Sequence, residues 1–138
     1  MSAEEYLSYL HTQLVGSMGE NNIPTNFFLS GCAVVAGDLA EQLLIEGKRP
    51  SILIFGYEDD REIWPPLYNN KVAGTKHIVC SYKNMVYDPM IGKPIHIKEY
   101  EQIAFGEKIP QAAQILDETL EEYIEFLKRY AIQDLDIY

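Results

Sequence analysis

The stretch from Lys76 to Asp88, KHIVCSYKNMVYD, constrains the chain most: two runs of β-favouring residues meet at Lys83 and Asn84. A two-residue turn there sets the register. Val79 then faces Asp88, His77 lies diagonally across, and all three project from one face of a sheet. A turn longer by an odd number of residues reverses that parity. Cys80 is an odd number of positions from His77, so it points to the opposite face and reads as a buried, inert thiol. Pro89 cannot donate to a ladder, which puts Asp88 at a strand end, where a partly solvated carboxylate stays ionised at modest cost.

Helical spacing brackets this hairpin. Ser2 and Glu5 form a capping-box pattern, and Tyr6, Leu7, Leu10, Leu14 and Met18 continue as an amphipathic helix that Gly19 to Pro24 ends. Ser30 and Gly31 precede a second apolar repeat, Val35, Ala36, Leu39, Ala40, Leu43 and Leu44, which stops at Gly47. Cys32 therefore stands at or beside a helix start. Ser51 to Tyr57 reads as a further strand, and a fourth is expected through Ile95 and Ile97. Glu58 to Thr75, with Trp64, Pro65 and Pro66, is a long polar connection suited to a binding loop or to a plain surface link. Pro110 is expected in the first turn of a closing helix whose stripe is Ile115, Leu116, Leu120, Tyr123, Ile124, Leu127 and Tyr130. Helices first, an antiparallel sheet in the middle and a helix last make the α+β class, in one domain over residues 1–138.

Composition narrows the partners. A formal charge of -10 repels phosphate backbones and anionic lipid, so neither nucleic acid nor a membrane surface is expected as a partner. No run reaches the roughly 18 apolar residues of a bilayer span. MSAEEYLSYL lacks the basic start and apolar core of a secretory signal, and two cysteines are too few for a disulfide framework. The expectation is a cytoplasmic chain, with any use as a secreted effector depending on a route without a classical signal.

A cysteine nucleophile needs a thiolate, and the unpaired amides and dipole of a first helical turn favour one. Cys32 stands where those amides also suit an oxyanion. Asp88, accepting a hydrogen bond from one imidazole nitrogen of His77, leaves the other to take a proton from a thiol. Singly, Cys32 also reads as packing, His77 as a satisfied strand histidine and Asp88-Pro89 as a turn; the joint pattern is what those readings do not predict. A zinc site from His77 and Cys80 is disfavoured by their parity and by the lack of paired CxxC knuckles, leaving His96 as the residue for any metal role. No metal and no cofactor is expected.

The order of a helix-initiating Cys in SGCAVVAGDLAEQLL, a strand-borne His in GTKHIVCSY and an Asp in MVYDPMIGKPI resembles the Cys-His-Asp frame of papain-like proteins. It is especially similar to their compact bacterial branches, the papain-fold toxin domains and transglutaminase-like proteins, over roughly Asn26 to Ile97. The resemblance implies a papain-like core in which a Cys-bearing helix packs on a small antiparallel sheet. It further implies Cys32 as nucleophile, His77 as base and Asp88 as orienter, and an upstream amide, Asn26 before Asn22 or Gln13, as oxyanion donor. The implied activity is acyl transfer through a thioester on a protein or peptide substrate, by a peptidase, amidase, glutamine deamidase or transglutaminase-like enzyme. A non-catalytic adaptor whose acidic surface suits a basic protein is the alternative, and a toxin or effector role is compatible with the same chemistry.

Overall fold

The computed structural model describes residues 1–16, 32–59, 61–63, 76–107 and 111–137, with the backbone alone described at 14–16, 111–113 and 130–137. Asn22, Asn26 and the Trp64-Pro65-Pro66 segment lie outside that range. Helix α1 (Ala3–Gly16) is followed by α2 (Cys32–Ile45), β1 (Ser51–Phe55), β2 (His77–Tyr82), β3 (Met85–Tyr87), β4 (Ile95–His96), α3 (Ile97–Phe105), β5 (Gln111–Ile115) and α4 (Leu120–Ile137). The strands form one antiparallel sheet in the order β4-β3-β2-β1-β5. The class is α+β.

Local signals act where the sequence puts them. The Glu5 amide donates to Ser2 Oγ at 3.1 Å and the Ser2 amide to Glu5 Oε1 at 3.2 Å, a reciprocal cap that satisfies two otherwise unpaired donors. Gly47, at φ 78°, closes α2: its amide donates to the Leu44 carbonyl and that of Lys48 to the Leu43 carbonyl, the paired bonds of a Schellman ending. Lys83 and Asn84 have φ of 51° and 66°, the left-handed pair of a type I′ turn, and the register runs Tyr82 to Met85, Ser81 to Val86 and Cys80 to Tyr87.

Alternation across the strands sorts the interior into two clusters. On one face Ile52, Cys80 and Tyr87 pack with Ala3 and Leu7 of α1, with Ala36, Leu39 and Leu43 of α2, and with Leu120, Ile124 and Leu127 of α4. On the other, Leu53, Phe55, Val79 and Val86 pack under Tyr100, Ala104 and Phe105 of α3. Each fully buried leucine contributes roughly 2–3 kcal/mol. Gly37 lets α2 and α4 approach closely, since a Cβ there would lie 3.3 Å from the Ile124 carbonyl oxygen.

Two expectations at the C-terminal side are corrected. Gln111–Ile115 is a strand, not the start of the closing helix, and pairs with β1 in the register Ile52 to Ile115 and Leu53 to Gln114. Residues Ser51, Ile52, Leu53 and Phe55 are buried, and a partner for that edge outweighs the weak helical preference of QAAQI. The helix instead begins at Leu120, behind Asp117, whose Oδ1 accepts from the Thr119 amide at 2.9 Å. Ile97 likewise belongs to a helix. His96 ends β4 and caps α3, its side chain accepting from the Lys98 amide at 3.2 Å. Among the described residues no helix is long and apolar enough to cross a membrane.

Candidate active site

Cys32 is the first residue of α2, anchored by the apolar face that Ala33, Ala36 and Leu39 turn into the core. It is in no disulfide, is buried to 5% exposure, and stands at the helical end whose first amides have no intrahelical acceptor. His77 opens β2 opposite Phe55, is 1% exposed, and meets the ring of Phe105 edge-on at 5.9 Å. Asp88 directly follows β3, where the type I′ hairpin delivers it to the same face as His77. Cys32, His77 and Asp88, with Val35, Ala36, Tyr87 and Pro89, line one small space that is closed in this structure.

Asp88 is placed at the strand end as expected, but it is not partly solvated: it is 1% exposed. Donors take the place of water. Its Oδ1 accepts from the Met90 amide at 2.9 Å, and its Oδ2 accepts from the Tyr100 hydroxyl at 2.6 Å with His77 Nε2 at 3.5 Å. Burial pushes the carboxyl up, yet the bonds from His77, Tyr100 and Met90 and the charge of His77 outweigh it and hold it below its ordinary range. The Asp88 carbonyl also accepts from the Ile91 and Gly92 amides, closing the turn beneath the carboxylate. His11 of α1 donates from Nδ1 to the Pro89 carbonyl at 2.7 Å, and Gly92, at φ 87°, leaves room for that ring where a Cβ would come within 2.6 Å.

The same network acts on His77. Burial alone lowers its pKa, but the polar contacts with Asp88 and Cys32, together with the charges of both, raise it to about 9. The protonated form of the ring is thus favoured by a neighbouring sulfur and a carboxylate. Such a pair supplies both halves of thiol activation, a positive neighbour for a thiolate and a proton for a departing group. Cys80 is different in kind. It is fully buried on the opposite face, and burial among apolar groups pushes its thiol up, away from the thiolate.

Of the residues named from sequence, the structure brings Cys32, His77 and Asp88 together. Asn26 and Asn22 lie outside the described residues. His96 is committed to capping α3, and no group of three or more metal-binding side chains occurs among the described residues. The sequence reading missed Tyr100, fully buried and bonded to both His77 and Asp88. Its signal was present as the spacing of Ile97, Tyr100 and Ala104 on one helical face.

No protein-family model matches the chain, and no curated protein matches it. Among solved structures it is similar to the NMR structure of protein-glutaminase from Chryseobacterium proteolyticum, at 11% identity and a TM-score of 0.47, over 96% of this chain and 91% of that one. At that level the likeness bears neither on the reaction nor on the residues that perform it.

Proposed function

We propose that the protein is a cysteine-dependent acyl-transfer enzyme on a papain-like frame, with Cys32 as nucleophile, His77 as acid and base, and Asp88 as the charge that steadies His77. One observation carries the reading: a thiol at a helix start, an imidazole and a carboxylate are buried around one small closed space, where the bonds and charges of the other two raise the pKa of the imidazole. The Cys32 thiolate attacks an acyl carbon, forming the S–C bond as the carbonyl pair moves onto oxygen. Collapse of that intermediate expels the amine or ammonia, which takes its proton from His77, and leaves a thioester. Water or an amine then attacks, losing its proton to His77 as the thiolate departs. The first amides of α2 suit the oxyanion, with the Asn26 side chain proposed as a further donor.

The deciding experiment is mass spectrometry after exposure to glutamine-containing peptides and acyl substrates. An adduct on Cys32 and a deamidated, hydrolysed or cross-linked product are expected, and both should disappear in Cys32→Ala. Full turnover by Cys32→Ala would overturn the mechanism. A second reading, a non-catalytic module for a basic partner, draws on the charge of -10. Iodoacetamide separates the two: a catalytic Cys32 reacts at mildly acidic pH much faster than a model thiol, whereas an adaptor's Cys32 reacts no faster than Cys80.

A further inference from the structure

We infer that Tyr100 is a positioning residue of this site: its hydroxyl is wedged between Asp88 and His77, transmits the hold of the carboxylate on the ring, and decides which ring nitrogen is presented to Cys32. The inference rests on the Cys32-His77-Asp88 reading and adds a fourth member to it. Asp88 Oδ1 is taken by the Met90 amide, so Oδ2 is the oxygen aimed at the ring. From Oδ2 to His77 Nε2 the direct separation is 3.5 Å, beyond a good hydrogen bond, whereas the two legs through Tyr100 Oη are 2.6 and 3.0 Å.

Proton counting then sets the tautomer. A tyrosine hydroxyl has one proton, and Tyr100 spends it on Asp88, so toward His77 it acts as acceptor and requires a proton on Nε2. Nδ1 is left as the nitrogen that exchanges a proton with the Cys32 sulfur. The Tyr100 ring is clamped by Phe55 at 6.1 Å and by Phe105 edge-on at 5.9 Å, which holds the hydroxyl in place without help from solvent. A tyrosine that merely filled the core would need one acceptor for its proton; this one also receives a bond from a titrating ring. The groups that titrate around His77 are Cys32 from α2, Asp88 and Tyr87 from the β3 end, and Tyr100 itself from α3.

Two measurements test this. In protein labelled with nitrogen-15 at histidine, the His77 ring above its titration point should carry its proton on Nε2; a proton on Nδ1 would overturn the proposal whether or not any variant folds. Tyr100→Phe keeps the ring and removes the hydroxyl. The iodoacetamide profile of Cys32, read by peptide mapping, should then move about one pH unit alkaline, a roughly tenfold slower reaction at mildly acidic pH. If Tyr100→Phe superimposes on the wild type while His77→Gln shifts the profile, Tyr100 is a plain core residue and the Cys32-His77 pair stands without it. If neither variant shifts the profile, the pair itself is wrong and the role of Tyr100 falls with it.

Discussion

Both faces of the sheet carry a buried cluster, and they do opposite things with that burial. The face under α1, α2 and α4 is predominantly apolar, and the thiol it encloses, Cys80, is pushed toward its neutral form by burial. The face under α3 begins the same way with Leu53, Phe55, Val79 and Val86, but ends in His77, Asp88 and Tyr100, three polar groups as inaccessible as any leucine. There the missing water is replaced by donors and acceptors, and charge is stabilised. Seclusion alone therefore decides nothing about reactivity; the partners enclosed with a group do. Cys32 acquires its character by opening α2 where it meets the second arrangement.

The strongest way to break this contrast is to remove the groups proposed to react. Cys32→Ala should abolish acyl transfer, and His77→Ala should reduce it by on the order of 10⁴-fold or more, measured as kcat on a peptide or ester substrate. The two differ in stability: Cys32→Ala should stay close to wild type in a urea titration, whereas His77→Ala strands a buried carboxylate and should lose about 3 kcal/mol. A second comparison is Leu39→Ala on the apolar face, expected to lose about 2–5 kcal/mol in urea while leaving the Cys32 alkylation rate of the folded fraction unchanged.

The pH dependence sharpens the contrast further. His77 is raised from about 6.5 to about 9 on folding, so its contribution is complete below the lower value and disappears as pH rises through the higher one, a loss of about 3 kcal/mol across that window. Asp88, depressed on folding, contributes above its unfolded value near 4 and loses that contribution as pH falls through its folded value. Urea midpoints between about pH 6 and 10 should show the alkaline loss in the wild type and not in His77→Gln. The smallest effect belongs to Cys80→Ala, about 1 kcal/mol of stability with activity intact. Inactivation by Cys80→Ala would reverse the assignment of the two thiols.

How far the site was legible follows from the range of each signal. The placement of His77 and Asp88 on one face needed only the parity of a strand and the turn at Lys83-Asn84, both carried by a dozen consecutive residues. Cys32 at a helix start and Cys80 on the far face followed from equally local periods. The burial of Asp88 was not legible, because the group that covers and bonds it, Tyr100, arrives from α3. Nor was β5: QAAQI has no strand signature of its own, and it becomes one by completing the buried edge of β1.

By itself the sequence determined the helix caps, the hairpin register and the face on which each candidate side chain stands, since these depend on bonds and sterics between near neighbours. Tertiary structure alone decided that α3 closes over His77 and Asp88, that a tyrosine hydroxyl stands between them, and that a neutral-looking peptide becomes an edge strand. Those outcomes come from pairing and desolvation between segments distant along the chain, where burying an unmatched polar group would cost more than any local preference can return.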